Sequence, residues 1–307
     1  MVKTLKIGEI PRRQLGATGE MVSIVGLGGG HIGIPETDAE SIKIVRTAID
    51  YGINFMDNCW DYGEGKCEIR MGKALADGYR QRVFLMTKID SRSKQGAARQ
   101  IDESLKRLRT DVIDLMQIHE IIHPGDPDKV FAEGGNIEAL LEAKKAGKIR
   151  FIGFTGHKSA DMHLKMLQKA EAMNFRFDTV QMPLNLFDAH FESFEKKVLP
   201  KLIEKNIGII AMKVMAAGKL VESGAATPLE CLRYVLNLPI SVAINGCDSI
   251  MLVEQAVTAA KGFKPLTEAE RAALLAKTGA KGRDGKLEGY KTSTFFDGTT
   301  RNPHWLE

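Results

Sequence analysis

The chain has 307 residues, 44% hydrophobic and 27% charged, a balance that excludes disordered and fibrous classes and allows either one large barrel or two domains. Its 43 basic and 39 acidic residues are spread evenly, with no arginine-rich arm or acidic tail, so nucleic-acid binding has no support while an anionic cofactor is accommodated. Cys59, Cys67, Cys231 and Cys247 form no C-x-x-C pair, no apolar run reaches about 18 residues, and the start MVKTLKIGEIPRR lacks the apolar core of a signal peptide; these features predict a cytoplasmic protein with reduced thiols and no membrane association.

In RRQLGATGEMVSIVG, two short runs flank the turn LGATG, which predicts a hairpin ahead of the first barrel strand, placed to cover the barrel's amino-terminal face. From VSIVGLGGG onward, strand-like and helix-like segments alternate. TDAESIKIVRTAIDYG follows the first strand, INFMDN leads into KCEIRMGKALAD, and VFLMTK leads into QGAARQIDESLKRLR. VIDLMQIH, IRFIGFTG, DTVQMPLN, IGIIAMKV and SVAING continue the strands. NIEALLEAKKAG, SADMHLKMLQKAEA, HFESFEKKVLPKLIEKN, PLECLRYVLNL and SIMLVEQAVTAA continue the helices. Short, almost purely apolar strands suit a parallel sheet buried on both faces, and eight βα units favour an α/β fold of the closed (β/α)₈ TIM-barrel type over an open doubly wound sheet. Gly52 and Gly147 stand where a helix C-cap glycine hands over to the next strand.

The whole chain, 1–307, reads as one domain: a barrel over about 22–260 and an irregular carboxyl-terminal tail over about 261–307. The tail is predicted to hold a helix from roughly Glu268 to Thr278 and then glycine-rich turns. Phe295, Phe296 and Trp305 there either anchor the tail to the barrel or help roof a pocket.

Four polar residues stand at or just beyond successive strand ends: Asp57, Tyr62, Lys88 and His119. On a barrel such positions converge on one mouth. A buried lysine must lose its charge or gain a partner, and Asp57 is placed to be that partner. A neighbouring ammonium lowers the pKa of a phenol from its ordinary value of about 10, which makes Tyr62 a tuned acid or base. His119 would donate to a substrate carbonyl. Taken singly, each residue also reads as an ion-pair partner, a loop anchor or a satisfied core histidine. No activated serine or metal cage is visible.

With RRQLGATGEMVSIVGLG, NFMDNCWDYGEGKCEIRMGKAL and its D-x-x-x-x-Y-G spacing, MTK and DLMQIH, the chain resembles the aldo-keto reductase family from about Pro11 to Ala260. The resemblance implies a (β/α)₈ barrel that uses NADP(H) or NAD(H) to interconvert small carbonyl compounds and alcohols. By it, Tyr62 is the proton donor, Lys88 and Asp57 tune it, and His119 orients the carbonyl. The cofactor would cross the barrel mouth without a Rossmann motif. VSIVGLGGG lacks the full G-x-G-x-x-G because His31 takes the place of the last glycine, so Gly29 and Gly30 are expected to let the backbone approach cofactor or substrate.

The chain also departs from the family pattern. Thr155 and Gly156 replace the usual Ser-Asn pair that holds the nicotinamide carboxamide, which shifts that contact toward Gln181, with His157 as a substitute. Met212 replaces the aromatic that stacks on the nicotinamide, and Lys213 replaces a serine beside the pyrophosphate. Gly246, Cys247 and Leu252 fall where NADPH-preferring members carry basic residues, leaving NAD or dual use open, unless Lys261 or Lys264 compensates. Met215, Asp248 and Gln255 complete the expected nucleotide contacts.

His31 and Trp60, with His119, are the candidate substrate-pocket residues; Trp60 and Cys59 line that pocket or pack beneath it, and His31 reads as a substrate contact or a solvated loop histidine. Glu120 is read as a loop carboxylate or a ligand for a polar substrate, and His123, His163 and His190 as surface residues. A rival reading is a nucleotide-binding regulatory or scaffold subunit with little turnover. An isomerase or hydrolase would need a different base or a metal. Loops and tail set the substrate, and oligomeric state is not legible.

Overall fold

Apolar strands whose side chains are almost all buried generate a closed barrel in the computed structural model, which describes residues 9–307. The first eight residues, which open the stretch read above as lacking a signal-like core, lie outside the described residues. β1 (Arg12–Gln14) and β2 (Met21–Ser23) pair antiparallel as a hairpin. The barrel then takes β3 (Val25–Gly28), β4 (Phe55–Asp57), β5 (Phe84–Ile89), β6 (Ile113–Ile118), β7 (Ile149–Thr155), β8 (Thr179–Pro183), β9 (Gly208–Met212) and β10 (Val242–Gly246), all parallel, with β10 closing on β3. The expected first strand is divided: its start belongs to the hairpin, and its last two glycines, Gly29 and Gly30, open a 3₁₀ turn over Gly29–Gly33.

Helices cover the barrel outside. α1 (Asp38–Asp50) starts at a capping box in which Thr37 and Glu40 satisfy each other's backbone amides. α2 (Lys66–Ala74), α3 (Lys94–Leu108), a short α4 (Asp126–Val130), α5 (Asn136–Lys145) and α6 (Ala160–Ala172) follow. The single helix expected in HFESFEKKVLPKLIEKN is broken into α7 (Phe194–Lys197) and α8 (Leu199–Glu204), because Pro200 brings no amide hydrogen and its ring clashes with the preceding turn. α9 (Lys219–Glu222), α10 (Pro228–Asn237) and α11 (Ile250–Lys261) complete the barrel. Among the described residues, no helix is long and apolar enough to cross a membrane.

The hairpin plugs the amino-terminal floor. Leu15 and Val22 join Phe55, Phe84, Met86, Leu115, Ile210 and Val242 in one interior cluster, and Arg13 donates to the carbonyls of Leu236, Leu238 and Ile240. Gly16, at φ +54°, lies so close to β9 that a Cβ would fall 2.2 Å from the Gly208 nitrogen; only glycine closes this floor.

The tail returns to the opposite end. α12 (Glu268–Gly282) runs beyond the predicted stop because Gly279 and Gly282 let it pass His190. α13 (Gly289–Thr292) is anchored by Lys291, which pairs with Asp188 and Glu288, all three buried. α14 (Gly298–Arg301) then lies across the carboxyl mouth.

Candidate active site

β4 ends on Asp57, β5 carries Lys88 inward, and His119 follows β6 directly. The Trp60 amide donates to the Lys88 carbonyl (3.0 Å) and the Tyr62 amide to Cys59 (3.3 Å), which folds the loop after β4 back over the mouth. The structure brings all four predicted residues together. Lys88, 1% exposed, pairs with Asp57, donates to the Asn58 carbonyl (2.6 Å) and lies 3.4 Å from the Tyr62 hydroxyl. Asp57 takes a second hydrogen bond from Gln181 Nε2 at 2.7 Å. Tyr62 and His119 meet edge to face with ring centroids 5.9 Å apart.

The electrostatics correct one expectation. Tyr62 is pushed well up, not down: burial disfavours the phenolate, and Asp57, Cys59 and Asp61 add to that. Asp57 already neutralises Lys88, so the ammonium cannot offset these effects. Burial also opposes the charged form of Lys88, but Asp57 more than compensates and its pKa rises. Tyr62 therefore keeps its proton through the neutral range.

Under His119 lies a cluster that the sequence reading missed. Nδ1 is 2.8 Å from Asp90 Oδ1, 3.2 Å from Cys59 Sγ and 3.7 Å from Asp61 Oδ1. Burial would lower the His119 pKa, yet Asp61, Asp90 and Glu120 raise it to about 9. Asp61 rises to about 6, through burial and then Asp90, and burial with the same two carboxylates pushes the Cys59 thiol up. Lys88 and Asp90 are two apart at a strand end, and period-two alternation puts them on one face; that signal was available. The four donor atoms lie within 4.8 Å of one another. Atoms sharing a tetrahedral zinc sit about 3.3 Å apart or more, given bonds of about 2.0–2.3 Å; a contact of 2.8 Å is instead that of a shared proton.

Arg92 locks this region. Its guanidinium donates to the carbonyls of Asp90, His119 and Glu120 and pairs with buried Asp126. Glu120, at φ +45°, accepts from the amides of Gly298 and Thr299 and from the Thr299 hydroxyl, so it fastens the tail to the mouth and is not free for a substrate.

Three cavities line the mouth. The first, about 290 Å³, contains Asp61, Tyr62, Lys88 and His119 under Phe295, Phe296 and Arg301 of the tail. The second, about 550 Å³, shares Tyr62, Met212, Lys213 and Phe296 with it and reaches Gly246. The third, about 780 Å³ and largely apolar, shares Met215, Asn245 and Gly246 with the second and lies between α10 and α11. A long ligand crossing the mouth would pass from Tyr62 to the outer helices.

The model of the aldo/keto reductase family matches residues 24–231, over half of the chain. The chain belongs to the aldo/keto reductase family. It is 33% identical over 231 residues to an L-galactose dehydrogenase of Arabidopsis thaliana, covering 70% of this chain and 69% of that protein. It is 33% identical over 222 residues to the aldo-keto reductase YhdN of Bacillus subtilis (strain 168), covering 66% of this chain and 61% of that one. The holo form of aldo-keto reductase AKR11C1 from Bacillus halodurans superposes with a TM-score of 0.73 over 90% of this chain and 100% of that chain, at 24% identity, a likeness of fold. This is thus an oxidoreductase of the aldo-keto reductase type.

In this aldo-keto reductase, Gly29, Gly30, Gln181, Met212, Lys213, Met215 and Gly246 line the second cavity, while Thr155 and Gly156 face the first. Gly29 abuts the Asp57 carbonyl, where a Cβ would fall 2.3 Å away, so its missing side chain serves strand packing. His31 also faces the second cavity, packed on Gly246, and not the first. Gln255 and Leu252 line the third cavity; Asp248, Lys261 and Lys264 line none of the three. The Cys247 side chain is 1% exposed and turned into the core, leaving only its backbone for a nucleotide.

Other expectations fail for identifiable reasons. Trp60 lines none of the three cavities: its Nε1 donates to Glu103 at 2.6 Å and its ring packs edge-on against Trp305. The His157 Nε2 is taken by Asp297 at 3.0 Å. His163 is buried, not at the surface, between Phe154 and Phe194, where burial lowers its pKa to about 4. Three residues after Ala160 and before Met166, it belongs to the inner stripe of α6. His190 and His123 are half-buried and bonded to Thr278 and Thr299. Arg233, missed in the sequence, is a cation at the third cavity, 3.3 Å from Glu270.

Proposed function

We propose that this chain interconverts small carbonyl compounds and alcohols with NAD(P)(H), using Tyr62 as proton donor and acceptor. The observation that carries the reading is the buried Asp57–Lys88 pair set against a protonated Tyr62 in the tail-roofed cavity beside His119. Three features fit a nicotinamide nucleotide. Gln181 Oε1 is buried without a partner, as an acceptor for a carboxamide N–H2 would be. Lys213 is half-buried with no anionic partner among the described residues, beside the place a pyrophosphate would take. Met212 offers a soft surface to a ring. When bound, the nucleotide supplies the hydride. The chain's own residues hold the carbonyl oxygen between Tyr62 and His119 and deliver its proton. Because Tyr62 holds its proton, it has one to give to the oxygen that gains negative charge as the hydride arrives. At the third cavity, Arg233 is already paired with Glu270, which supports use of NAD(H) as well as NADP(H).

Parallel fluorescence titrations with NADH and NADPH, followed by turnover on small aldehydes, ketones and sugars, test this proposal. Tyr62→Phe should bind nucleotide like the parent and lose about 10²- to 10⁴-fold in turnover. Near-normal turnover in that variant, or failure of the parent to bind either nucleotide, overturns the assignment.

A further inference from the structure

We propose that Asp90, backed by Asp61, holds His119 as an imidazolium, so that a charged N–H donor and not a neutral ring faces the substrate oxygen. The inference rests on the carbonyl-reduction reading for its kinetic meaning, but its structural content stands apart from it.

The hydrogen count comes first. Asp90 is fully buried, and its Oδ1 lies 2.8 Å from His119 Nδ1, so Nδ1 carries a hydrogen and donates it. A neutral imidazole has one N–H. With that hydrogen committed to Asp90, Nε2 would present a lone pair to the cavity and repel a carbonyl oxygen. A donor at Nε2 therefore requires the second proton.

The charge count agrees. Asp90 Oδ2 and Asp61 Oδ1 are both inaccessible and without hydrogen-bond partners among the described residues. Two such carboxylates need a cation close by. Lys88 is committed to Asp57, and Arg92 to Asp126 and three carbonyls. His119 is the group left to neutralise them. Of the other groups facing it, Cys59 is held as a thiol by burial, Asp61 and Asp90, and Tyr62 as a phenol by burial, Asp57 and Asp61. Glu120 adds negative charge from the β6 side. Across the cavity, burial holds His157 toward its neutral form, and Lys213 and Arg301 supply opposing positive charge. The balance leaves the His119 pKa at about 9.

The arrangement is also rigid. One guanidinium, Arg92, grips the backbone at both Asp90 and His119, and Gln100 Oε1 accepts the amides of Asp90 and Ser91 at 2.8 and 2.9 Å. Asp90 touches no substrate; it is a positioning residue acting through His119. Hydrogen bonds from a charged donor are roughly twice as strong as neutral ones, and the gain falls on the oxygen where negative charge develops. Reduction should then be supported below about pH 9 and lost as pH rises through it, because deprotonation removes the Nε2 hydrogen.

The test follows ring ¹⁵N resonances of histidine-labelled protein with pH, with His119→Gln identifying the signal. Both nitrogens of His119 should be protonated at neutral pH, with a midpoint near 9. Asp90→Asn keeps an acceptor but removes the charge, and should lower the midpoint by about one unit or more, a tenfold change in proton affinity. Asp61→Asn should move it the same way by less, and carries the comparison if Asp90→Asn fails to fold. A neutral His119 in the parent at neutral pH, or a midpoint indifferent to both variants, overturns the proposal. In kinetics, Asp90→Asn should shift the alkaline limb of carbonyl reduction downward and leave the KM for nucleotide unchanged; an equal loss at every pH would mark Asp90 as merely structural. If the resonances behave as expected but no carbonyl compound is reduced, the functional reading fails and the charge assignment survives.

Discussion

The half of the mouth built on β4, β5 and β6 is knitted together by buried charge, whereas the half built on β9, β10, α10 and α11 is open and largely apolar. On the first side every charged group has a charged or hydrogen-bonded neighbour, even though Asp61 Oδ1 and Asp90 Oδ2 keep no hydrogen bond of their own, and Arg92 alone holds four acceptor groups. On the second, the Lys213 ammonium has no anion, and at its border Gln181 Oε1 on β8 lacks a partner. The difference separates two tasks. Proton chemistry needs groups whose charge and orientation are set before substrate arrives, while a nucleotide site keeps unpaired groups that only the ligand satisfies.

Lys88→Met strains this comparison hardest. It leaves Asp57 charged and buried with only Gln181 for support, so stability should fall by about 3–5 kcal/mol in urea denaturation, and turnover should disappear. Adding Asp57→Leu should recover much of the stability and none of the turnover. If Lys88→Met unfolds no more readily than the parent, the ion pair is not what orders this side of the mouth.

Legibility in the sequence follows the same divide. Asp57, Lys88 and His119 each interrupt or end an apolar run, so strand periodicity alone brings them together, and the barrel follows from eight such runs. Asp90 obeys the same period and was readable in principle. Asp61 was not, because its approach to His119 depends on how the loop after β4 folds back. The tail was opaque for a stronger reason. Its fastening runs from Glu120 to Gly298 and Thr299, 178 and 179 positions away, and no local pattern encodes that contact. Trp60 was misplaced similarly: its neighbours Glu103 and Trp305 come from α3 and the chain end.

A smaller effect is expected at the seam between the halves. Gly156 stands where the family resemblance places an asparagine, but a Cβ there would fall 2.6 Å from the Ile121 carbonyl and 3.0 Å from His163. Neither neighbour yields easily: the Ile121 amide is bonded to the Thr155 carbonyl at 2.8 Å, and His163 is wedged between aromatic rings. Gly156→Ala should therefore cost about 1–3 kcal/mol of stability, read as a lower denaturation midpoint. A neutral result would mean that the loop after β6 has room to move, and that the departure from the family pattern is not forced by packing.

The mildest perturbation probes the open half. Lys213 adopts φ +55°, and methionine bears the same backbone cost there, so Lys213→Met changes the charge with little else. Burial already lowers the Lys213 pKa, and its ammonium rests over the Phe296 ring, 4.7 Å from the centroid, without an anion. Removing an unpaired, half-buried cation should leave the stability of the free protein unchanged or slightly raised. Nucleotide affinity should fall about tenfold, close to 1.4 kcal/mol. The loss should be equal for NADH and NADPH if Lys213 faces the pyrophosphate that both carry. A loss confined to NADPH would instead put the 2′-phosphate at Lys213 and reverse the direction in which the nucleotide crosses the mouth. A loss for neither would show that the second cavity holds some other ligand.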